Sequence, residues 1–148
     1  MNAEEMWKKY CTENSVNINA RHDVWAFGAA PDELAKLVLK GIKTATASAY
    51  DLYFIDLESE PLPEVGGYSI ILNSKDEALC IIQTTKVTIV PFSKVTSEHA
   101  YKEGEGDRSL KYWQEVHKKF FNDEFKKYNL KLNNKTKIVC EEFKLIYK

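Results

Sequence analysis

Gly41-Ile42-Lys43-Thr44-Ala45-Thr46-Ala47-Ser48 decides how this chain is read. The segment before it, Pro31 to Lys40, has the marks of a helix. Pro31 suits the first helical position, and Asp32 and Glu33 place acids in the first turn. Leu34, Leu37, Val38 and Gly41 fall at helical spacing and define an inward face. Gly41 stands where a helix ends in a left-handed residue, a conformation only Gly takes without steric cost. The Thr-rich run that follows leaves the turn as a strand, with Lys43 on one side and Thr44 and Thr46 on the other. A twist or bulge just past the turn would bring Lys43 and Thr46 to one site. An amine and a hydroxyl beside a glycine turn suit acyl chemistry or phosphate binding, and equally suit an ordinary turn.

Upstream, residues 2 to 13 form an amphipathic helix with Met6, Tyr10 and Trp7 inward. Asp23 to Gly28 is aromatic and weakly alternating, a short strand or an extended arm. Downstream, Ala49 to Leu57 reads as a short helix and Glu58 to Glu64, with Pro61 and Pro63, as a loop. Gly67 to Leu72 and Ala78 to Val90 are β-rich and joined by Asn73-Ser74-Lys75-Asp76, so they pair antiparallel. Thr96 caps a short helix, and Ser109 caps a long one carrying Leu110, Trp113, Val116, His117, Phe120, Phe121 and Phe125. That stripe reads as core. Lys137 to Tyr147 is a last strand whose alternation slips at Glu141-Glu142, which suggests a bulge there. Strands of mixed length with helices between them and no βαβ rhythm indicate one α+β domain over residues 1–148. A partly closed antiparallel barrel surrounded by helices would protect the strand edges.

The second unusual stretch is Glu98-His99-Ala100-Tyr101-Lys102-Glu103-Gly104-Glu105-Gly106-Asp107. It admits three readings: a solvated loop, a carboxylate held near Lys43 for acid–base work, or a cation loop. The calcium-loop spacing is absent, so no metal and no cofactor are expected. Cys11, Cys80 and Cys140 are odd in number and widely spaced, and the last two lie in apolar runs, so they read as buried thiols. No run of 18 apolar residues and no basic n-region with an apolar stretch appear, so the expectation is a cytoplasmic protein without membrane contact. The formal charge is −1, which disfavours sequence-independent duplex binding. From Arg108 onward, however, there are 11 Lys and Arg against 5 Asp and Glu, a face that could meet phosphate.

Gly41-x-Lys43-x-x-Thr46 resembles the G-x-K-x-x-T pattern of the ASCH superfamily. Supporting residues run in order along most of the chain. They are Trp25-x-Phe27-Gly28, Leu37, Pro91-Phe92-x-x-Val95, His99-Ala100-x-x-Glu103-Gly104-Glu105-Gly106-Asp107, Tyr112-Trp113-x-x-x-His117 and Cys140-Glu141-x-Phe143. The whole chain is similar to the stand-alone bacterial ASCH protein. The resemblance implies a PUA-like barrel with a cleft lined by the motif, and RNA or modified nucleosides as the ligand class. A shorter bacterial branch contains amidohydrolases that remove acetate from N4-acetylcytidine. By that resemblance Lys43, Thr46 and Glu103 are the catalytic candidates, with His99 as the marker of the Glu. Gly41, Thr44, Ser48, Trp25, Phe27, His99 and Glu105 are the candidates for substrate contact. Ser48 stands where that branch carries an Arg, and Glu105 and Asp107 are acids it lacks, which changes how a substrate would be anchored. Three functions follow in order of preference: an amidohydrolase on an N-acylated nucleoside, a non-catalytic RNA- or nucleotide-binding module, and a ribonuclease. The expected partner is a small-molecule or nucleoside ligand, RNA being the alternative, and the expected state a monomer or dimer.

Overall fold

The computed structural model describes residues 1–55 and 61–148. The elements run α1 (Ala3–Asn14), β1 (His22–Trp25), α2 (Pro31–Leu39), β2 (Ala45–Ala49), α3 (Leu52–Ile55), β3 (Tyr68–Leu72), β4 (Ala78–Pro91), α4 (Ser97–Glu103), α5 (Leu110–Lys126) and β5 (Lys137–Tyr147). One 3-10 turn, Phe92–Lys94, links β4 to α4. The expected helices and strands are all present. Of the segment read as helix to Leu57 and loop from Glu58, residues 56–60 lie outside the described residues.

The five strands form one sheet in the order β1-β3-β4-β5-β2. The edge strands β1 and β2 do not pair with each other, so the sheet curls without closing into a barrel. Three pairings are antiparallel, but β1 runs parallel to β3, Val24 opposite Ile70. The expected α+β fold with a partly closed, mainly antiparallel sheet is present, and the edge strand β1 departs from the antiparallel pattern. Parallel neighbours need a crossover, and the chain supplies one through α2, β2 and α3. The bulge also moves. Thr84 faces Phe143 while Lys86 faces Glu142, so the extra residue near the slip is Thr85 on β4, not Glu141 or Glu142; a second shift, between Ile81 and Ile82, leaves Ile146 of β5 as the extra residue. The slip in β5 has another cause. From Ile138 to Glu141 every residue is buried, because this half of the strand is covered on both faces.

Three clusters make the core. Trp113, Phe121 and Phe125 of α5 pack with Phe92, Ile138 and Cys140 on one side of the sheet. Met6, Trp7, Tyr10 and Cys11 of α1 close one end against Ile70 and Ile81. Ala35 and Val38 of α2 pack with Phe27, Ile71, Ile82 and Phe143. Phe27 of the third cluster touches both halves of the site, lining the cavity and standing 5.3 Å from the Lys43 ammonium. Among the described residues no helix is long and apolar enough to cross a membrane.

Candidate functional site

The turn after α2 is built to drive Lys43 inward. The Leu37 carbonyl accepts from the amides of Ile42 and Lys43, at 3.0 and 3.1 Å, and Gly41 takes φ +76°. The Thr44 amide and hydroxyl then donate to the Lys102 carbonyl, at 2.8 and 3.3 Å. The Thr44 carbonyl in turn accepts from Phe143 at 3.0 Å. This pins the start of β2 between α4 and β5 and leaves the Lys43 side chain 1% exposed. From the other side, the Thr96 hydroxyl caps α4 by accepting from the His99 amide at 3.1 Å. Gly104 ends α4 at φ +75°, and a Cβ there would sit 2.7 Å from the Ile42 carbonyl oxygen. Only Gly lets the two turns meet this closely.

The meeting creates a buried ion cluster. The Lys43 ammonium lies 3.2 Å from Glu103 Oε1 and 2.9 Å from Glu105 Oε2. Glu103 Oε2 accepts from Trp113 Nε1 at 2.5 Å and pairs with His99 Nε2 at 2.7 Å. Glu103 Oε1 is also 3.5 Å from His117 Nε2. The His117 ring stacks on Trp113 at 4.2 Å, and its Nδ1 is 2.9 Å from the Trp113 carbonyl, so both of its nitrogens face acceptor oxygens. Burial alone would raise the Glu103 carboxyl. The Lys43 charge and the His117 and His99 hydrogen bonds outweigh it and hold Glu103 well below the ordinary carboxylate range. Glu103, Glu105 and His117 have ligand atoms within 4.8 Å of one another, a set that could hold a metal ion. The Lys43 ammonium already stands against two of the three, in the place a cation would take.

A cavity of about 300 Å³ opens beside this cluster. Its aromatic walls are Trp25, Phe27, Tyr53 and Phe120, its hydroxyls Thr46, Ser48 and Ser69, and its acids Asp23, Glu124 and Glu141. Trp25 and Phe27 meet edge to face at 4.9 Å, and Ser48 and Tyr53 share a 2.6 Å hydrogen bond. Thr46 lies directly opposite Glu141 in the β2–β5 ladder. Glu141 is 7% exposed, and its Oε2 accepts from the Thr84 hydroxyl at 2.6 Å. Burial pushes its carboxyl up, with Asp23 adding to the rise and the Thr84 bond working against it.

The structure therefore gathers the candidates into two groups. Lys43, His99, Glu103 and Glu105 form the ion cluster. Thr46, Ser48, Trp25 and Phe27 line the cavity. Phe27 belongs to both, because the Lys43 ammonium sits 5.3 Å from the ring centroid. Gly41 and Thr44 shape the turn and are not in the cavity wall. Sequence reasoning did not name Trp113 and His117 as site residues: it read their helix face as core and used Trp113-x-x-x-His117 only as support for the family resemblance. It also missed Glu141 as a site residue, although an acid inside the apolar run Ile138 to Phe143 was a signal.

No functionally curated protein matches the chain. Among solved structures, an ASCH domain from Lactobacillus crispatus JV V101 is 28% identical. It covers 98% of this chain and 94% of its own, with a TM-score of 0.89. A protein from Enterococcus faecalis V583 is 36% identical, covering 99% of this chain and 88% of its own, with a TM-score of 0.87. A variant of the Zymomonas mobilis ASCH protein, 13% identical with a TM-score of 0.50 over 83% of this chain and 68% of its own, shares the fold. The family model for the ASCH domain matches residues 23–147, from the cavity acid Asp23 to the end of β5. The chain belongs to the ASCH domain family.

Proposed function

We propose that the cavity beside Lys43 binds a small planar ligand, and that its reaction is hydrolysis of the amide of an N-acylated nucleoside such as N4-acetylcytidine. The observation that carries this reading is the cavity wall. It is aromatic on several sides, presents the Thr46 hydroxyl, and has no Lys, Arg or His among the residues that line it. About 300 Å³ is at the small end of ligand pockets, the size of a nucleobase with a short substituent rather than of a polynucleotide.

In this reading the Thr46 hydroxyl attacks the amide carbon, the C–N bond breaks as the amine takes up a proton, and water then releases acetate from the acyl-Thr; alternatively Thr46 holds the water that attacks the amide directly. Lys43 and Glu103 carry the proton traffic. An ammonium held between two carboxylates donates hydrogen bonds, and it becomes a base only after losing a proton, which Glu103, held well below the ordinary carboxylate range, is poorly suited to take. It must then reach past the Phe27 ring to the bound amide. Substrate entry that displaces Phe27 would therefore couple binding to activation. The RNA-binding alternative is less well supported, because phosphate contacts need basic side chains and the cavity wall offers none.

The test is a chromatographic assay for cytidine and acetate from N4-acetylcytidine. Wild type should turn over. Lys43→Ala, Thr46→Ala and Glu103→Gln should each lose at least about a hundredfold in kcat/KM, the ordinary effect of a nucleophile or acid–base group. Retained activity in all three would overturn the assignment.

A further inference from the structure

The cavity holds acids that the Lys43 cluster does not use. Glu141 is the most telling. It is 93% buried by residue surface, being 7% exposed, yet only one of its oxygens has a described partner. The Thr84 hydroxyl occupies Oε2; Oε1 has no hydrogen bond among the described residues, and since no fully buried side-chain oxygen there lacks a partner, Oε1 is the part of the group open to the cavity. A carboxylate buried this deeply is expected to have both oxygens engaged, so an idle oxygen in a cavity wall marks a place for a ligand donor. Asp23 stands in the same wall on β1, paired at its outer side with the half-exposed Arg21 at 3.4 Å. Glu124 of α5 is a third acid in the wall. Among the described residues that line the wall there is no Lys, Arg or His; the Arg21 that pairs with Asp23 is not a lining residue.

We infer that Glu141 is a specificity-determining residue. It selects a neutral or cationic planar ligand that brings an N–H donor to Oε1, and it rejects ligands whose buried part is anionic. The physical reason is differential. An N–H donor completes the unfilled valence of a buried carboxyl, and a cationic one forms a charge-assisted bond. An anionic group placed in the same wall meets Glu141 after losing its water, with no ammonium or guanidinium among the described lining residues, and the nearby Arg21 is already shared between Asp23 and Glu64. Trp25 and Phe27 supply the flat apolar surfaces that hold a ring in register with that edge. Lys43 cannot relieve an anion, because its charge is already matched by Glu103 and Glu105 on the far side of Phe27. This inference rests on the cavity being the ligand site and is independent of amide hydrolysis.

Three nearly isosteric probes separate these claims: benzamidinium, benzamide and benzoate. Of the three Trp residues, only Trp25 lines the cavity, since the Trp7 indole donates to Ile18 and the Trp113 indole to Glu103. The readout is the Trp25 indole N–H signal in nitrogen-15 NMR, assigned with Trp25→Phe. Benzamidinium should shift that signal and bind at least about tenfold more tightly than benzoate, the worth of one charge-assisted hydrogen bond, with benzamide between them. Glu141→Gln should shrink the benzamidinium preference by about tenfold, and Asp23→Asn should shrink it less. Benzoate binding as tightly as benzamidinium, or a preference unchanged in Glu141→Gln, would overturn the inference while leaving the cavity as the ligand site. If none of the probes moves Trp25, the cavity reading falls with it.

Discussion

Replacing Lys43 with Met removes the ammonium from the most enclosed charge cluster in the described chain. The Lys43 and Glu103 side chains are 1% and 2% exposed and 3.2 Å apart. Removing one member of such a pair leaves an uncompensated buried charge, which costs about 3–5 kcal/mol. In Lys43→Met the Glu103 carboxylate keeps Trp113, His99 and His117 but loses its cation, and Glu105 stays nearby. In Glu103→Gln the ammonium keeps Glu105, and the Gln amide faces the His99 and Trp113 groups that a carboxylate had satisfied. The double variant orphans neither charge of the pair. Its loss should fall short of the sum of the single losses by about 2 kcal/mol or more, within the range for coupled neighbours. Urea unfolding followed by Trp fluorescence at pH 7 measures all four proteins, with the slopes checked for constancy. Losses that add to within about 0.5 kcal/mol would refute the pairing, since that is how independent sites behave.

The pH arm has a definite sign. Glu103 is held well below its ordinary value of 4.5, so the unfolded chain binds the proton more readily. Its contribution is complete above the unfolded value and is lost as pH falls below 4.5 toward the folded one. Glu103→Gln should flatten the acid limb of the stability profile.

Glu141 titrates with the opposite sign. Burial raises its carboxyl, so the folded protein binds the proton more readily and this group costs stability as pH rises. Glu141→Gln should melt at or above the wild-type temperature at pH 8, and a lower melting temperature there would contradict the burial argument. Gly104→Ala forces a Cβ to 2.7 Å from the Ile42 carbonyl at φ +75°, so it should lose at least about 1–3 kcal/mol in the same urea assay. Burial pushes the Cys80 and Cys140 thiols up to about 12, and Cys11 is buried too. A thiol reagent should therefore label none of the three in the native state at pH 8 and all three in urea, and fast native labelling would refute this.

What the residues disclose on their own follows the range of each interaction. Helix starts and stops are local, so Pro31, Thr96, Ser109 and Gly104 marked their ends in the sequence. A carboxylate of the 98–107 stretch held near Lys43 was one of three readings the residues left open; that it is Glu103, 60 positions away, was readable only through resemblance, since spacing says nothing of distant contacts. The parallel pairing of β1 with β3 hid for the same reason. Register hid Glu141, because Thr85, the residue that bulges opposite β5, looks like any other strand Thr. Lys43 and Thr46 read as one glycine-turn motif, yet Phe27, 16 positions before Lys43, stands between the amine and the cavity.

The most direct measurement is calorimetric titration of N4-acetylcytidine at low and high salt, set beside a short single-stranded RNA. A neutral ligand seated among Trp25, Phe27 and Thr46, with no basic side chain among the described lining residues, should bind with an affinity that salt leaves unchanged within about twofold, and the RNA should bind no more tightly. RNA that binds more tightly, with an affinity that falls steeply as salt rises, would contradict a small-molecule site and point to a phosphate-reading surface instead.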